Sequence, residues 1–119
     1  MYQVLANGII TLTRGDTFNY TFSLEDDIGQ KIVLTDDDNI YFGICEPGQL
    51  WENAIVRKIC EKLMDDNDNY TGEYSITLNS IDTQFLIPGK YYYSIKLKQI
   101  IDDKEIVSTI REKMLFWIE

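Results

Sequence analysis

Histidine is missing from this chain altogether, and cysteine occurs only at Cys45 and Cys60. Without histidine there is no Ser-His-Asp or Cys-His relay. Two thiols with no imidazole also fall short of the four-ligand sets that hold zinc. The expectation is therefore a chain with no catalytic residues, no metal and no cofactor. Basic residues are scarce as well: 11 Lys and Arg stand against 20 Asp and Glu, a formal net charge of −9. That balance opposes a nucleic-acid partner, whose phosphates need a positive face, and opposes adsorption to an anionic membrane. No apolar run approaches the roughly 20 residues that span a bilayer. The opening MYQVLANGII lacks the basic start and long apolar stretch of a secretory signal. These absences imply a soluble protein made in a reducing cytoplasm, its two cysteines acting as small buried hydrophobes. A bridge between them would require their two strands to pair.

What is present is alternation. Hydrophobic residues make up 45% of 119, enough for one domain that buries about two thirds of its unfolded surface. Phe18, Tyr20, Phe22 and Leu24 alternate with polar neighbours, as do Tyr74, Ile76 and Leu78. In KYYYSIKLKQ, Tyr91, Tyr93, Ile95 and Leu97 share one face, and Tyr92, Ser94, Lys96 and Lys98 the other. Ile106, Ile110, Met114, Phe116 and Ile118 form a last row, and Val107, Leu115 and Trp117 opposite it suggest a strand end covered on both sides. Shorter candidates lie at Gly8 to Thr13, Lys31 to Leu34, Asn39 to Cys45 and Ala54 to Leu63; the last has residues that suit a helix as well as a strand, its β-branched members favouring the strand. Asp-, Asn-, Pro- and Gly-rich turns punctuate them all. Seven or eight short strands at this spacing read as an antiparallel sandwich or barrel, one domain over residues 1–119. Its expected core is Phe18, Tyr20, Phe22, Ile40, Phe42, Ile44, Tyr74, Ile76, Leu78, Tyr93, Ile95 and Leu97.

Several short motifs invite functional readings. Arg14-Gly15-Asp16 matches an adhesion tripeptide, yet it falls between two strands, where glycine supplies the positive φ of a tight connection; the chain is expected to use it as a turn. Asp65, Asn67 and Asn69 begin like a calcium loop, but Tyr70 stands where the sharp-turn glycine belongs and Ile76 where a bidentate Glu would close the site. The Glu25–Asp27 and Asp36–Asp38 clusters read as acidic turns rather than catalytic carboxylate pairs, because sequence neighbours do not set the geometry such pairs need. Trp51, in EPGQLWEN, is the most suggestive single residue. It can fold back over the core, anchor a protein interface, or stack on a sugar. Leu50 beside it and Tyr92 on the polar row of its strand complete the set of interface candidates: Trp51, Leu50 and Tyr92. A coplanar Trp51–Tyr92 pair would favour the alternative of a carbohydrate-binding or surface-adhesion sandwich.

Three segments taken together carry a resemblance. ITLTRGDTFNYTFSL is a strand, a Gly-Asp-Thr turn and an aromatic-alternating strand; GQKIVLTDDDNIYFGI places Leu-Thr ahead of an apolar strand; GEYSITLNSIDTQFLIPGKYYYSIKL carries Leu78, Asp82-Thr83, Leu86, Gly89, Tyr91 and Tyr93. In this order, from about Gly8 to Ile118, the chain resembles the immunoglobulin-like N-terminal domain of tailed-phage baseplate upper proteins and related small phage virion structural proteins. The resemblance implies an immunoglobulin-like antiparallel β-sandwich of about seven to eight strands. It further implies a non-enzymatic structural role in the tail, baseplate or head decoration, with other virion proteins or copies of itself as partners. Its implied location is the virion, and the host cytoplasm during assembly. Gly89-Lys90-Tyr91 resembles a tyrosine corner, with Tyr93 in place of the cysteine that antibody domains carry two residues later. The resemblance does not extend to the receptor-facing region of longer members, so a role in host recognition is not expected.

Overall fold

The computed structural model describes residues 2–4, 8–25 and 28–119. Nine strands occur among the described residues: β1 (Tyr2–Val4), β2 (Ile10–Leu12), β3 (Phe18–Ser23), β4 (Asn39–Cys45), β5 (Val56–Ile59), β6 (Glu61–Met64), β7 (Tyr70–Leu78), β8 (Gly89–Ile101) and β9 (Lys104–Ile118). They build a six-stranded sheet, β1-β2-β9-β8-β4-β5, and a three-stranded sheet, β3-β7-β6. All pairings are antiparallel except β2 with β9, which is parallel. This is the immunoglobulin arrangement: β3, β7 and β6 stand where strands B, E and D do, and β9, β8, β4 and β5 where G, F, C and C′ do. Among the described residues, nothing stands beyond β3 in the place of strand A.

The count exceeds the expected seven to eight for a local reason. The Ala54–Leu63 run is neither helix nor one strand; it breaks at Cys60, leaving β5 in one sheet and β6 in the other. β1 adds an edge strand that alternation alone does not reveal. Lys31 to Leu34, expected as a strand, contributes a single bridge from Lys31 to Glu25. Its Leu34 still enters the core, where the Leu34 N–H donates to the Tyr74 hydroxyl at 3.1 Å.

Phe18, Phe42, Tyr93 and Phe116 meet between the sheets with ring centres 5.5–6.3 Å apart, and Ile10, Leu12, Ile40, Ile44, Ile76 and Leu78 close around them. Every residue of the expected core packs there, although Tyr20 and Phe22 are only half-buried. They sit on β3, the outer strand of its sheet, beside an apolar cavity of about 160 Å³ that opens between β3 and the Ile110 stretch of β9. The two cysteines are free and buried. The Cys60 N–H donates to the Ile40 carbonyl at 2.8 Å, whereas Cys45 closes β4 five residues further along, about 16 Å away at the rise of a strand. A disulfide needs Cα atoms within about 7 Å.

β8 and β9 form a long hairpin whose two-residue tip, Asp102-Asp103, has φ of 52° and 61°, the left-handed pair that a type I′ turn requires. Two one-residue bulges interrupt β9, one where Lys113 takes φ 54° and one between Arg111 and Thr109. They cancel in parity, so Ile106 lies on the same face as Met114, Phe116 and Ile118. The opposite row is not covered as expected: Val107 is 55% and Trp117 39% exposed, because among the described residues no layer packs on that side of the six-stranded sheet.

Gly15, at φ +82°, turns the chain from β2 to β3. Its N–H donates to Thr83 Oγ1 at 3.0 Å, the Arg14 N–H to the Glu119 carbonyl at 3.0 Å, and the Asp16 N–H to the Thr13 carbonyl at 3.0 Å. Arg14-Gly15-Asp16 is a turn held on three sides. Thr83 itself ends the short helix α1 (Ser80–Thr83), started by the Asp82 carboxylate accepting the Asn79 N–H at 2.7 Å. Beyond it the Tyr91 hydroxyl donates to the Ile87 carbonyl at 2.7 Å, forming the tyrosine corner.

Candidate interaction surface

The outer face of the six-stranded sheet follows from the register. Residues of β4 and β8 alternate between core and solvent, so Tyr41, Gly43 and Cys45 share the outer side with Lys90, Tyr92, Ser94, Lys96 and Lys98. β5 adds Arg57 opposite Gly43. β9 adds Leu115 opposite Tyr92 and Val107 opposite Lys98. Interleaved aromatics and cations on one open face make it the least ordinary surface of an acidic chain.

Trp51 is delivered to this face by the loop after β4. The Gln49 N–H donates to the Glu46 carbonyl and the Glu46 N–H to Gln49 Oε1, both at 3.0 Å, and a 3-10 turn over Trp51–Asn53 follows. Arg57 fastens that turn: its Nη2 donates to the carbonyls of Trp51 at 3.0 Å and Glu52 at 2.8 Å. The same guanidinium lies 4.4 Å from the centre of the Trp51 ring, and Lys96 Nζ 5.4 Å from it. Tyr41 meets the indole edge-on, with ring centres 6.4 Å apart. Trp51 therefore folds back, but onto the outside of the sheet and not over the core.

Gly43 makes this possible. A Cβ at position 43 would stand 2.9 Å from Trp51 Nε1 and 3.3 Å from Cδ1, closer than side chains tolerate, so only a bare strand lets the indole approach this closely. The arrangement has a cost, since Trp51 Nε1 is buried with no hydrogen-bond partner, a state rare in folded proteins. Gly43 was not among the residues expected to matter. The signal was present, because an isolated glycine inside an alternating strand marks a close approach.

Two grooves meet at Trp51. One, of about 360 Å³, is lined by Leu50, Trp51, Tyr92, Cys45, Ser94 and Lys113 among others. The second, of about 240 Å³, runs past Tyr41, Arg57, Lys96, Lys98 and Val107. All three interface candidates thus line a single groove: Leu50 is 66% exposed on its rim, and Trp51 and Tyr92 are half-buried in its wall. Lys90 Nζ stands 5.5 Å from the Tyr92 ring, and the Lys113 N–H donates to Ser94 Oγ at 3.3 Å. Cys45 gives its thiol proton to the Leu50 carbonyl at 3.7 Å. Burial pushes that thiol above its ordinary value against the pull of Arg57, which favours the protonated form that donates this bond.

Chemically the face offers apolar and π surface bordered by cations. Stacking on a sugar needs an open indole face, and Arg57 lies over this one. The acidic turns have local work of their own. Asp65 Oδ1 accepts the N–H groups of Asn67 at 2.9 Å and Asn69 at 3.0 Å, and Asp38 Oδ2 accepts the N–H and hydroxyl of Thr35 at 3.3 and 3.1 Å. No helix among the described residues is long and apolar enough to cross a membrane. No family model matches the chain, and no curated protein matches it in sequence.

Proposed function

We propose that this protein is a non-enzymatic structural module of a phage or prophage particle, a protein–protein interaction domain of the tail, baseplate or head decoration. It assembles in the host cytoplasm and resides in the virion. Its partners are other virion proteins and further copies of itself, and it needs no cofactor. The observation that carries the interaction role is the convergence of Leu50, Trp51 and Tyr92 in one groove on an uncovered sheet face. Exposed aromatic anchors bordered by polar groups are what dominate interface energetics, and a specific contact buries on the order of 1,000 Å². The particle assignment draws on the resemblance of the Gly-Asp-Thr turn, the Leu-Thr strand entry and the tyrosine-corner segment. The immunoglobulin-like strand order is compatible with it and, as a fold, does not by itself select a function.

Particles purified from a lysate of the source host and analysed by mass spectrometry test this reading. The chain is expected at a fixed ratio to the other particle proteins, and Trp51→Ala should lower its incorporation while leaving the melting temperature of the free protein within a few degrees. Purified particles that lack the chain, while it accumulates free in the cell, would refute the assignment.

A further inference from the structure

Five of the eleven basic residues lie on the face just described: Arg57, Lys90, Lys96, Lys98 and Lys113. Glu46 and Glu105 line the same grooves, so the face carries a net charge of +3 and, from the total of −9, the rest of the chain −12. The molecule is thus electrically two-sided. An exposed concentration of the opposite sign joins two turns at the end of the three-stranded sheet. The Tyr70 hydroxyl donates to the Asp36 carboxylate, and Lys62 Nζ to the Thr35 carbonyl at 2.6 Å. These bonds hold the Thr35–Asp38 turn against the β6–β7 turn, presenting Asp36, Asp37, Asp66 and Asp68 to solvent. Met64, 52% exposed, stands at the foot of this acidic knob.

We infer that the Trp51 trough receives the acidic knob of a second copy, so that copies join head to tail. The inference rests on the assembly role proposed above and specifies its geometry. Charge complementarity chooses the occupant: the trough offers Lys96 and Lys98 beside Trp51, and the knob offers carboxylates with Met64 as an apolar contact for the indole. Lys98 is bonded to Glu105 at 3.2 Å, so a neighbour's carboxylate has to share that ammonium with Glu105, whereas Lys96 stands over the Trp51 ring itself. Trough and knob are different surfaces, one on the outer face of the six-stranded sheet and the other at the turns before β4 and between β6 and β7. The contact is therefore heterologous, and its repetition generates a ring or a filament and not a closed two-fold dimer.

Two opposed charge effects give this contact a distinctive salt response. Bodies of net charge −9 repel over about 30 Å at 0.01 M salt, but over only about 8 Å at 0.15 M. The paired groups within the trough are screened strongly only near 1 M, where the screening length is about 3 Å. Association should rise from about 0.01 to 0.15 M salt and fall again towards 1 M. An apolar two-fold contact between acidic copies would strengthen throughout.

Sedimentation velocity of the whole chain at these three salt concentrations is the test, with two charge-reversed variants. Lys96→Glu with Lys98→Glu, and separately Asp66→Lys with Asp68→Lys, should each be monomeric at about 0.15 M, and mixing the two should restore association. Circular dichroism melts establish that each variant is folded. If the trough reversal unfolds the chain, Lys96→Gln with Lys98→Gln replaces it and should weaken association by about tenfold or more, roughly 1.4 kcal/mol. The inference is overturned by a monomer at every salt concentration, by association that keeps growing to 1 M, or by folded variants that associate like the wild type. Any of these would leave incorporation into particles intact, so this failure and that of the assembly reading are told apart.

Discussion

Gly15 and Cys60 show what one residue can demand of this fold. At φ +82° Gly15 is in the left-handed region, where a Cβ is strained even though it would meet nothing closer than Gln84 Cβ at 3.8 Å. Gly15→Ala should therefore destabilise the protein by more than about 1 kcal/mol, measured by urea unfolding; an unchanged midpoint would mean that the turn does not need its glycine. Cys60 speaks to alkaline pH. Burial pushes its thiol from the ordinary 9.0 up to about 12, so between those values the unfolded chain has released a proton that the native chain keeps. The stability due to this group is complete below pH 9 and is lost as pH rises through about 12. Tyr74 and Tyr91, raised above 10.0 chiefly by burial, act in the same direction. The urea midpoint should fall between pH 9 and pH 11, and Cys60→Ala, though less stable at neutral pH, should show a shallower fall. A midpoint independent of pH over that range would contradict the buried thiol.

At the scale of the element, β4 and the β8–β9 hairpin carry the most consequence. Gly43→Ala would put a methyl group 2.9 Å from Trp51 Nε1, lifting the indole off the sheet and away from Arg57. In a Trp117→Phe background its fluorescence should shift to longer wavelength while the fold persists; an unaltered spectrum would show that Trp51 does not rest on β4. The hairpin tip holds two aspartates at positive φ, each costing on the order of 1 kcal/mol against glycine. Asp103→Gly should raise stability by about that amount in thermal unfolding, and a loss would mean that the aspartate makes a contact that repays its strain. Strand existence was largely legible in the sequence. β4 spans Asn39–Cys45, the range its alternation of Ile40, Phe42 and Ile44 indicates, because its inner face meets the core along its whole length. The break at Cys60 was not legible: β5 and β6 have similar residue types, and period two says nothing about which sheet a strand joins. The trough was half legible. Trp51, Leu50 and Tyr92 stood out singly, but their meeting with Arg57, Lys96 and Lys113 depends on the register of four strands and on a bulge. Neither is written in the periodicity of any one segment.

Across the whole molecule, the two sheets differ in how they are joined at their sides. β3, FNYTFS, has no charged residue and pairs only with β7 among the described residues, though the Tyr2 hydroxyl reaches over to the Asn19 carbonyl at 2.6 Å. On the other side the chain passes from β5 to β6 through the single residue Cys60. The sandwich is therefore hinged like a book, with Cys60 as its spine and the β3 side as the fore-edge. A spine one residue long has no slack. If β5 slips by one position against β4, the slip is transmitted at once to β6 against β7, so the two covers proofread each other's alignment. Inserting two glycines after Cys60 would slacken the spine without altering any pairing. The expected result is a less cooperative transition, with a smaller dependence of stability on urea and unfolding curves from tryptophan fluorescence and far-ultraviolet dichroism that no longer coincide. Coincident, equally steep curves in the lengthened chain would show that the covers hold their alignment without the binding.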